Sequence, residues 1–297
     1  MNSNAQIELS IANAIEHTLN STLNRVSTAD APPLLASAMH YAVFPGGARI
    51  RPRLSLAVAF ACGQDDPGVA CAAAGAIELL HCASLVHDDL PCFDDAPTRR
   101  GIASVHRAFG ERLAVLTGDA LIVLAFESLL AGTVTRPERL APLVGIIARS
   151  VGMPNGIAAG QAWESESLIS LSKYQQAKTG ALFSAATMAG AAAAGHRFEP
   201  WRLLGERLGE AYQVADDICD MAGNAEELGK PVGRDAALGR PSAARELGLN
   251  GAIARLDLLV GGALGSIPDC PGAEELSSLI RQEAEGLLPK GLARQAA

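Results

Sequence analysis

The sequence predicts an all-α fold, a single domain of many helices over residues 1–297. Apolar residues fill 49% of its 297 positions and aromatics only 4%. Alanine and leucine supply much of that apolar share, which favours helix over sheet. Runs of β-branched or aromatic residues are few, whereas apolar residues recur at helical spacing. Length alone would allow two domains. No low-complexity linker or short-period repeat interrupts the chain, so one many-helix domain is expected.

Residues 5–24 predict an amphipathic helix, with Ile7, Ile11, Ile15 and Leu19 near one face. Ala31-Pro32-Pro33 breaks the chain before a second helix. Phe44-Pro45-Gly46-Gly47 is a turn that delivers Arg49 and Arg51. Pro52 suits the first turn of a helix running to Ala61. After Gly63 to Pro67 comes a helix over 69–89, in which His81, Ser84 and Asp88 share one face. Pro91 stops it. Further helices are expected over 104–131, 138–152, 155–167, 171–194 and 200–222. Residues 223–241, rich in Gly, Pro and charge, predict a loop before helices over 242–262 and 271–287.

A net charge of −8 with few aromatics excludes nucleic-acid binding on electrostatic grounds. Cys62, Cys71, Cys82, Cys92, Cys219 and Cys270 form no C-x-x-C pair, so buried thiols are expected rather than a zinc or redox site. The polar first residues carry no secretory signal, and no uninterrupted apolar run reaches about 18 residues, so no membrane span is expected. A cytoplasmic protein follows.

Two acidic clusters carry the chemistry. The first is Asp88-Asp89-Leu90-Pro91-Cys92-Phe93-Asp94-Asp95, followed by Arg99-Arg100-Gly101. The second is Gln213-Val214-Ala215-Asp216-Asp217-Ile218-Cys219-Asp220. Carboxylates packed together repel one another unless a cation compensates. Mg²⁺ is typically held by a few carboxylates plus substrate phosphates. Arginines nearby suit forked hydrogen bonds to diphosphate oxygens. Asp216 and Asp220 are one helical turn apart, with Gln213 a turn earlier; a solvated acidic face is the plain alternative for that cluster. Asp94 lies off the helical register of Asp88, and the Leu90–Phe93 excursion is expected to bring it back. A calcium loop would not explain the adjacent arginines.

With these motifs the chain resembles the trans-prenyl diphosphate synthases over about Phe44 to Arg240. Asp88-Asp89 through Asp94 is similar to their first aspartate-rich motif in its bacterial form. Lys178-Thr179-Gly180 is similar to a Lys-Thr-Gly at a helix interruption, Tyr212-Gln213 with Asp216, Asp217 and Asp220 to the second motif, and Leu228-Gly229-Lys230 to a lysine-bearing loop. The resemblance implies a helical bundle around a deep central cavity, a homodimer and several Mg²⁺ ions. Asp88, Asp89, Asp94, Asp216 and Asp220 would then hold metal under the allylic diphosphate, which Arg99, Lys178 and Lys230 neutralise. Arg51, His81 and Arg100 would take isopentenyl diphosphate, and Thr179 and Gln213 would line the reacting carbons.

Four departures stand out. Gly47-Ala48-Arg49-Ile50-Arg51-Pro52 has Ala48 where the family usually has lysine; weaker binding of isopentenyl diphosphate and compensation by Arg49 both stay open. Glu164 and Arg240 replace aspartate and lysine with charge kept. Tyr212 stands where many relatives have phenylalanine. In the family the residues four and five before the first aspartate floor the product pocket. Ala83 and Ser84 are small there, which implies a C20 product, geranylgeranyl diphosphate, as in bacterial synthases of pigment pathways. Phe109 or groups across a dimer interface could still close that pocket. The alternatives are a C15 farnesyl diphosphate synthase, a terpene cyclase and a non-catalytic regulatory subunit.

Overall fold

A computed structural model describes residues 3–44, 46–166, 171–222 and 243–287. The described fold is all-α apart from one two-residue hairpin. It comprises two compact units, one built from the described residues of Met1–Ile147 and Ala189–Arg197, the other from those of Ala148–Met188 and Phe198–Ala297.

The first unit is assembled around α4 (Pro67–Asp88). Asp66 caps this helix by accepting from the Gly68 and Val69 amides, and Pro67 pre-sets its first turn. Its Ala-rich surface lets α1 (Ser3–Val26), α3 (Ile50–Ala61) and α6 (Glu111–Gly132) pack closely on it. Ile77, Leu79 and Leu80 are buried, as are Ile15, Leu19 and Leu23 of α1. The buried stripe of α1 thus continues one turn beyond the expected one; Ile11 is half-buried, and the side chain of Ile7 lies outside the described residues. α2 is Pro33–Val43.

The segment 104–131, expected as one helix, is two. Gly110 at φ 86° separates α5 (Val105–Phe109) from α6. The sequence reading also missed the hairpin pairing β1 (Thr98–Arg99) with β2 (Ile102–Ala103). Its two turn residues, Arg100 and Gly101, both have positive φ, 53° and 80°, as a tight two-residue turn with the strands' twist requires. The turn leaves Arg100 Nη2 4.0 Å from buried Glu78.

α4, α6 and residues 244–264 are each long and apolar enough to cross a bilayer. In α4 that character reflects the core, because 78% of its apolar window is buried inside the protein. Cys62, Cys82 and Cys219 are buried as expected, but Cys92, on the loop beyond Pro91, is exposed.

The turn before α4 is tied down by charge. Asp65 accepts from Arg136 at 3.1 Å and from Arg139 at 2.7 and 3.0 Å, and Arg139 also donates to the Ala193 carbonyl. The bond from Arg139 pulls the Asp65 carboxyl from its usual 3.8 to about 2. A carboxyl lowered on folding stabilises the protein fully above its unfolded pKa and loses that contribution as pH falls through the folded one. We expect Asp65→Asn to lower the melting temperature at neutral pH, and to remove part of the stability lost between about pH 4 and pH 2 in the parent. Thermal melts across that range check it; parallel curves for the two proteins would contradict it.

α7 is Leu140–Val151; the second unit holds α8 (Ile157–Ala162) and a short 3₁₀ turn over Trp163–Ser165. The expected helix over 171–194 is present but interrupted. α9 (Leu171–Gln175) runs into a π-turn over Gln176–Gly180 before α10 (Ala181–Ala193). α11 (Arg202–Ala222) packs against α12 (Ala243–Leu264), which bends at Gly248. Ala211, Val214, Ala215 and Ile218 form one face of α11 and meet Ala244, Ala252, Leu256 and Leu259 of α12. That leaves Asp216 and Asp220 half-buried on α11. α13 is Ala273–Gly286.

Candidate active site

The two aspartate motifs fall in different units, and each is built within its own. In the first unit α4 ends at Asp88, and the chain then folds back on the helix it has left. The amides of Phe93 and Asp95 donate to the Leu90 carbonyl, at 2.9 and 3.0 Å. The Asp94 amide donates to the Asp88 carbonyl at 3.0 Å, and the Ala96 amide to that of Asp89 at 3.2 Å. Buried Leu90 and Ala96 anchor the loop. The excursion therefore brings the Asp94 backbone back to that of Asp88, although helical spacing alone would not align them.

Asp89 is used differently from expectation. It is 2% exposed, and both its oxygens accept from Arg99 Nε at 3.1 Å, with Arg99 Nη2 closing the fork. Burial opposes the Arg99 charge, but Asp89 outweighs it and holds the guanidinium above its usual range. Asp89 thus faces a guanidinium, where the sequence reading placed it on a metal.

Arg51, His81 and Arg100 are drawn together on the same unit. Arg51 Nη1 lies 3.4 Å from His81 Nε2. Burial, then the charges of Arg51, Arg100, Arg99 and Arg49, push His81 well below its usual 6.5, so the ring is neutral at pH 7. A concentration of guanidinium charge around a neutral imidazole is suited to a polyanion.

Arg49 does not join that anion site. It is 7% exposed and spends its donors on Glu16 (2.9 Å), Glu78 (2.6 Å) and the Val43 carbonyl (2.9 Å). Burial opposes its charge, but Glu16 and Glu78 together hold it above its usual range. Glu78 Oε1 also lies 4.0 Å from Arg100 Nη2. The glycine pair serves these arginines: a Cβ at Gly46 would come within 2.7 Å of the Arg49 guanidinium, and one at Gly47 within 3.0 Å of that of Arg100. Compensation by Arg49 for the lysine absent at Ala48 is therefore excluded by its partners.

In the second unit the π-turn presents Lys178 and Thr179. Such turns interrupt a helix's regular bonding and often mark functional positions. Lys178 Nζ donates to Glu164 Oε1 at 2.6 Å; Tyr174 donates to the same oxygen at 2.6 Å and Gln161 to Oε2 at 3.2 Å. Gly160 is needed for this approach, since a Cβ there would meet the Lys178 amide nitrogen at 2.5 Å. Thr179 donates to Gln213 Oε1 at 3.1 Å, and Gln213 Nε2 donates to buried Asp217 at 3.1 Å. A cavity of about 500 Å³ runs beside Gln213, Val214 and Asp217. Lys230 and Arg240 lie outside the described residues.

The sequence model of the Polyprenyl synthetase family matches residues 32–255. The chain belongs to the polyprenyl synthetase family. It is 56% identical to a geranylgeranyl diphosphate synthase of Cereibacter sphaeroides, over 94% of this chain and 97% of that one, and 49% identical to that of Rhodobacter capsulatus over the same shares. Among solved structures, a geranyltransferase of Helicobacter pylori complexed with magnesium and isoprenyl diphosphate superposes with a TM-score of 0.80 at 29% identity, covering 95% of this chain and 98% of that one.

For a polyprenyl synthetase the donor set is apt. Among the described residues no three His, Cys, Asp or Glu side chains form a ready-made metal cage. Mg²⁺ does not need one, because it keeps waters and takes one or two carboxylates plus phosphate oxygens. Hard carboxylate oxygens beside arginines fit that pattern and would suit a thiophilic metal poorly. Ala83 is 1% exposed, and half-buried Ser84 donates to the His81 carbonyl at 2.8 Å. Phe109 meets Tyr41 edge-on at 5.2 Å, beside the cluster of Ala38, Val86, Leu90, Val105 and Ala114. The sequence reading missed Glu78 and the roles of Glu164 and His106 as partners. A glutamate inside Ile77-Glu78-Leu79-Leu80 was a readable signal, since a buried carboxylate demands a cation. His106 gave none.

Proposed function

We propose that this chain is a Mg²⁺-dependent trans-prenyltransferase that adds isopentenyl diphosphate to allylic diphosphates and ends at geranylgeranyl diphosphate. The observation that carries the reading is the back-folded loop uniting Asp88 and Asp94, on the same unit as the Arg51–His81–Arg100 cluster. The match over residues 32–255 draws on both units, which supports one catalytic domain.

In this reading Asp88 and Asp94 in the first unit, and Asp216 and Asp220 in the second, serve as Mg²⁺ ligands toward the allylic diphosphate. When bound, Mg²⁺ supplies positive charge to the leaving diphosphate. Arg99, held by Asp89, and Lys178, held by Glu164, add fixed positive charge that does not have to reorganise as the allylic C–O bond breaks. Lys230, outside the described residues, is assigned by the resemblance to neutralise the same diphosphate. The bonding pair leaves with the diphosphate. The isopentenyl double bond, aligned by Arg51, His81 and Arg100 through its own diphosphate, attacks the allylic carbon. Loss of a proton to the released diphosphate completes the step. Thr179 and Gln213, locked to each other, line the reacting carbons with dipoles rather than nucleophiles.

Elongation of geranyl diphosphate by the purified chain, abolished by chelation and restored by Mg²⁺, tests the reading. A folded chain that releases no diphosphate with any allylic starter would contradict it.

A homodimer is part of the proposal. On α6, Leu116, Val123 and Leu130 recur every seven residues and are 50%, 57% and 56% exposed, with Val115 beside them. An apolar stripe at that spacing fits a helix of a second copy. Sedimentation at twice the chain mass, shifted to the monomer by Val123→Glu, is the expected result; a monomeric parent would refute it.

A further inference from the structure

The loop that carries Asp94 is held from outside by a residue the reaction does not use. Asp95 follows Asp94 in the left-handed region, φ 42°, which a non-glycine residue adopts at a cost. Its Oδ1 accepts from Arg107 Nη2 at 2.9 Å and faces His106 Nε2 at 3.5 Å. The Arg107 contact is half-exposed on both sides, and such pairs contribute little. His106 is different, with a side chain only 2% exposed.

The ring of His106 is fixed from its other edge. Nδ1 lies 3.0 Å from Ser104 Oγ, and Ser104 itself is buried and tied to the Pro97 carbonyl through its amide at 3.1 Å. Nε2 is buried and has no hydrogen-bond partner among the described residues; Asp95 Oδ1 is within ion-pair range of it. Asp95 only accepts, so a brace to it takes the tautomer with hydrogen on Nε2 and Nδ1 accepting from Ser104 Oγ, whose other contact is the Pro97 carbonyl at 3.4 Å. His106 therefore stands between two points just ahead of the hairpin's entry strand, Pro97 through Ser104 and Asp95 directly.

We infer that His106 is a positioning residue of the aspartate loop: its Nε2–H braces Asp95 in its left-handed conformation and so holds Asp94 against Asp88. The inference rests on the reading of Asp88 and Asp94 as Mg²⁺ ligands. His106 touches neither metal nor substrate. It acts as groups behind a metal ligand do, by fixing where the ligand points, and removal of such groups typically costs about 10–100-fold in metal affinity.

The test uses the full-length chain. Two quantities are read, the Mg²⁺ concentration giving half-maximal turnover, and the shift in melting temperature produced by Mg²⁺ with inorganic diphosphate. His106→Ala is expected to raise the Mg²⁺ midpoint about tenfold and to shrink the melting shift, with KM for isopentenyl diphosphate within about threefold of the parent. His106→Gln, which restores an N–H near the Nε2 position, is expected to recover most of both. Asp95→Ala should match His106→Ala, and the double variant should be no worse than either, because one contact cannot be lost twice. Should His106→Ala not fold, Asp95→Ala, at an exposed residue, tests the same contact. An unchanged Mg²⁺ midpoint and melting shift in folded His106→Ala, or single effects that multiply in the double variant, would overturn the inference. A parent that fails to elongate would refute the prenyltransferase reading instead, and the melting-shift comparison would still decide the brace.

Discussion

Asp88→Ala is expected to cut kcat by roughly a thousandfold or more, about 4 kcal/mol of transition-state stabilisation, with little change in melting temperature. The half-buried Asp88 ends a helix whose last turn is held by backbone bonds, so removing its carboxylate leaves the fold intact. What is lost is a ligand for the ion that meets the charge arriving on the leaving diphosphate. Asp94→Ala is expected to behave alike. Asp89→Ala is expected to behave differently, because that carboxylate is buried under Arg99. Breaking a fully buried pair costs about 3–5 kcal/mol, and partial exposure of Arg99 reduces this to roughly 2–3. Loss of activity in Asp89→Ala should therefore come with a lower melting temperature. Steady-state kinetics and thermal melts on the three variants separate the roles; equal melting temperatures, or a fully active Asp88→Ala, would contradict them.

Ala83→Phe is expected to convert the product from C20 to C15. Ala83 is 1% exposed and Ser84 half-buried, one turn before Asp88 and on the helix that carries His81. A benzyl group at either position shortens whatever space the growing chain occupies below the motif. At Ala83 it also overpacks the core, at a cost of about 1–3 kcal/mol. Ser84→Phe is the gentler test, because it sacrifices only a local bond to the His81 carbonyl. A ratio of C15 to C20 diphosphate raised at least tenfold in both variants is the expected outcome by mass spectrometry. An unchanged C20 product in folded, active variants would show that these two positions do not floor the pocket.

The helices were legible because their signals are local. The Ala- and Leu-rich pattern carries α4 to Asp88, while its start, expected at Val69, comes two residues earlier because Asp66 caps it and Pro67 opens its first turn. The hairpin at 98–103 escaped because two-residue strands have no periodicity to read; only Arg100-Gly101 hinted at a tight turn. Within the site, the aspartates and arginines drew attention by type and spacing, and Lys178 through the resemblance. Their partners did not, because an ion pair joins residues far apart in sequence. Arg49 looked like a substrate contact until Glu16 and Glu78, from α1 and α4, were seen to enclose it. Asp89 looked like a metal ligand until the hairpin folded Arg99 onto it. The helix interruption at Lys178 was implied by the resemblance and not by the helical pattern over 171–194, and its tether to Glu164 required the fold.

These residues together predict one product. Mass spectrometry of the diphosphates made by the purified chain from isopentenyl diphosphate with, separately, dimethylallyl, geranyl and farnesyl diphosphates and Mg²⁺ is the direct measurement. A C20 diphosphate, absent without Mg²⁺, is the result predicted here. Accumulation of C15 from geranyl diphosphate with farnesyl diphosphate left unused would keep the chemistry and contradict the assignment of a C20 product. No elongation from any allylic diphosphate by the folded chain would contradict the chemistry itself.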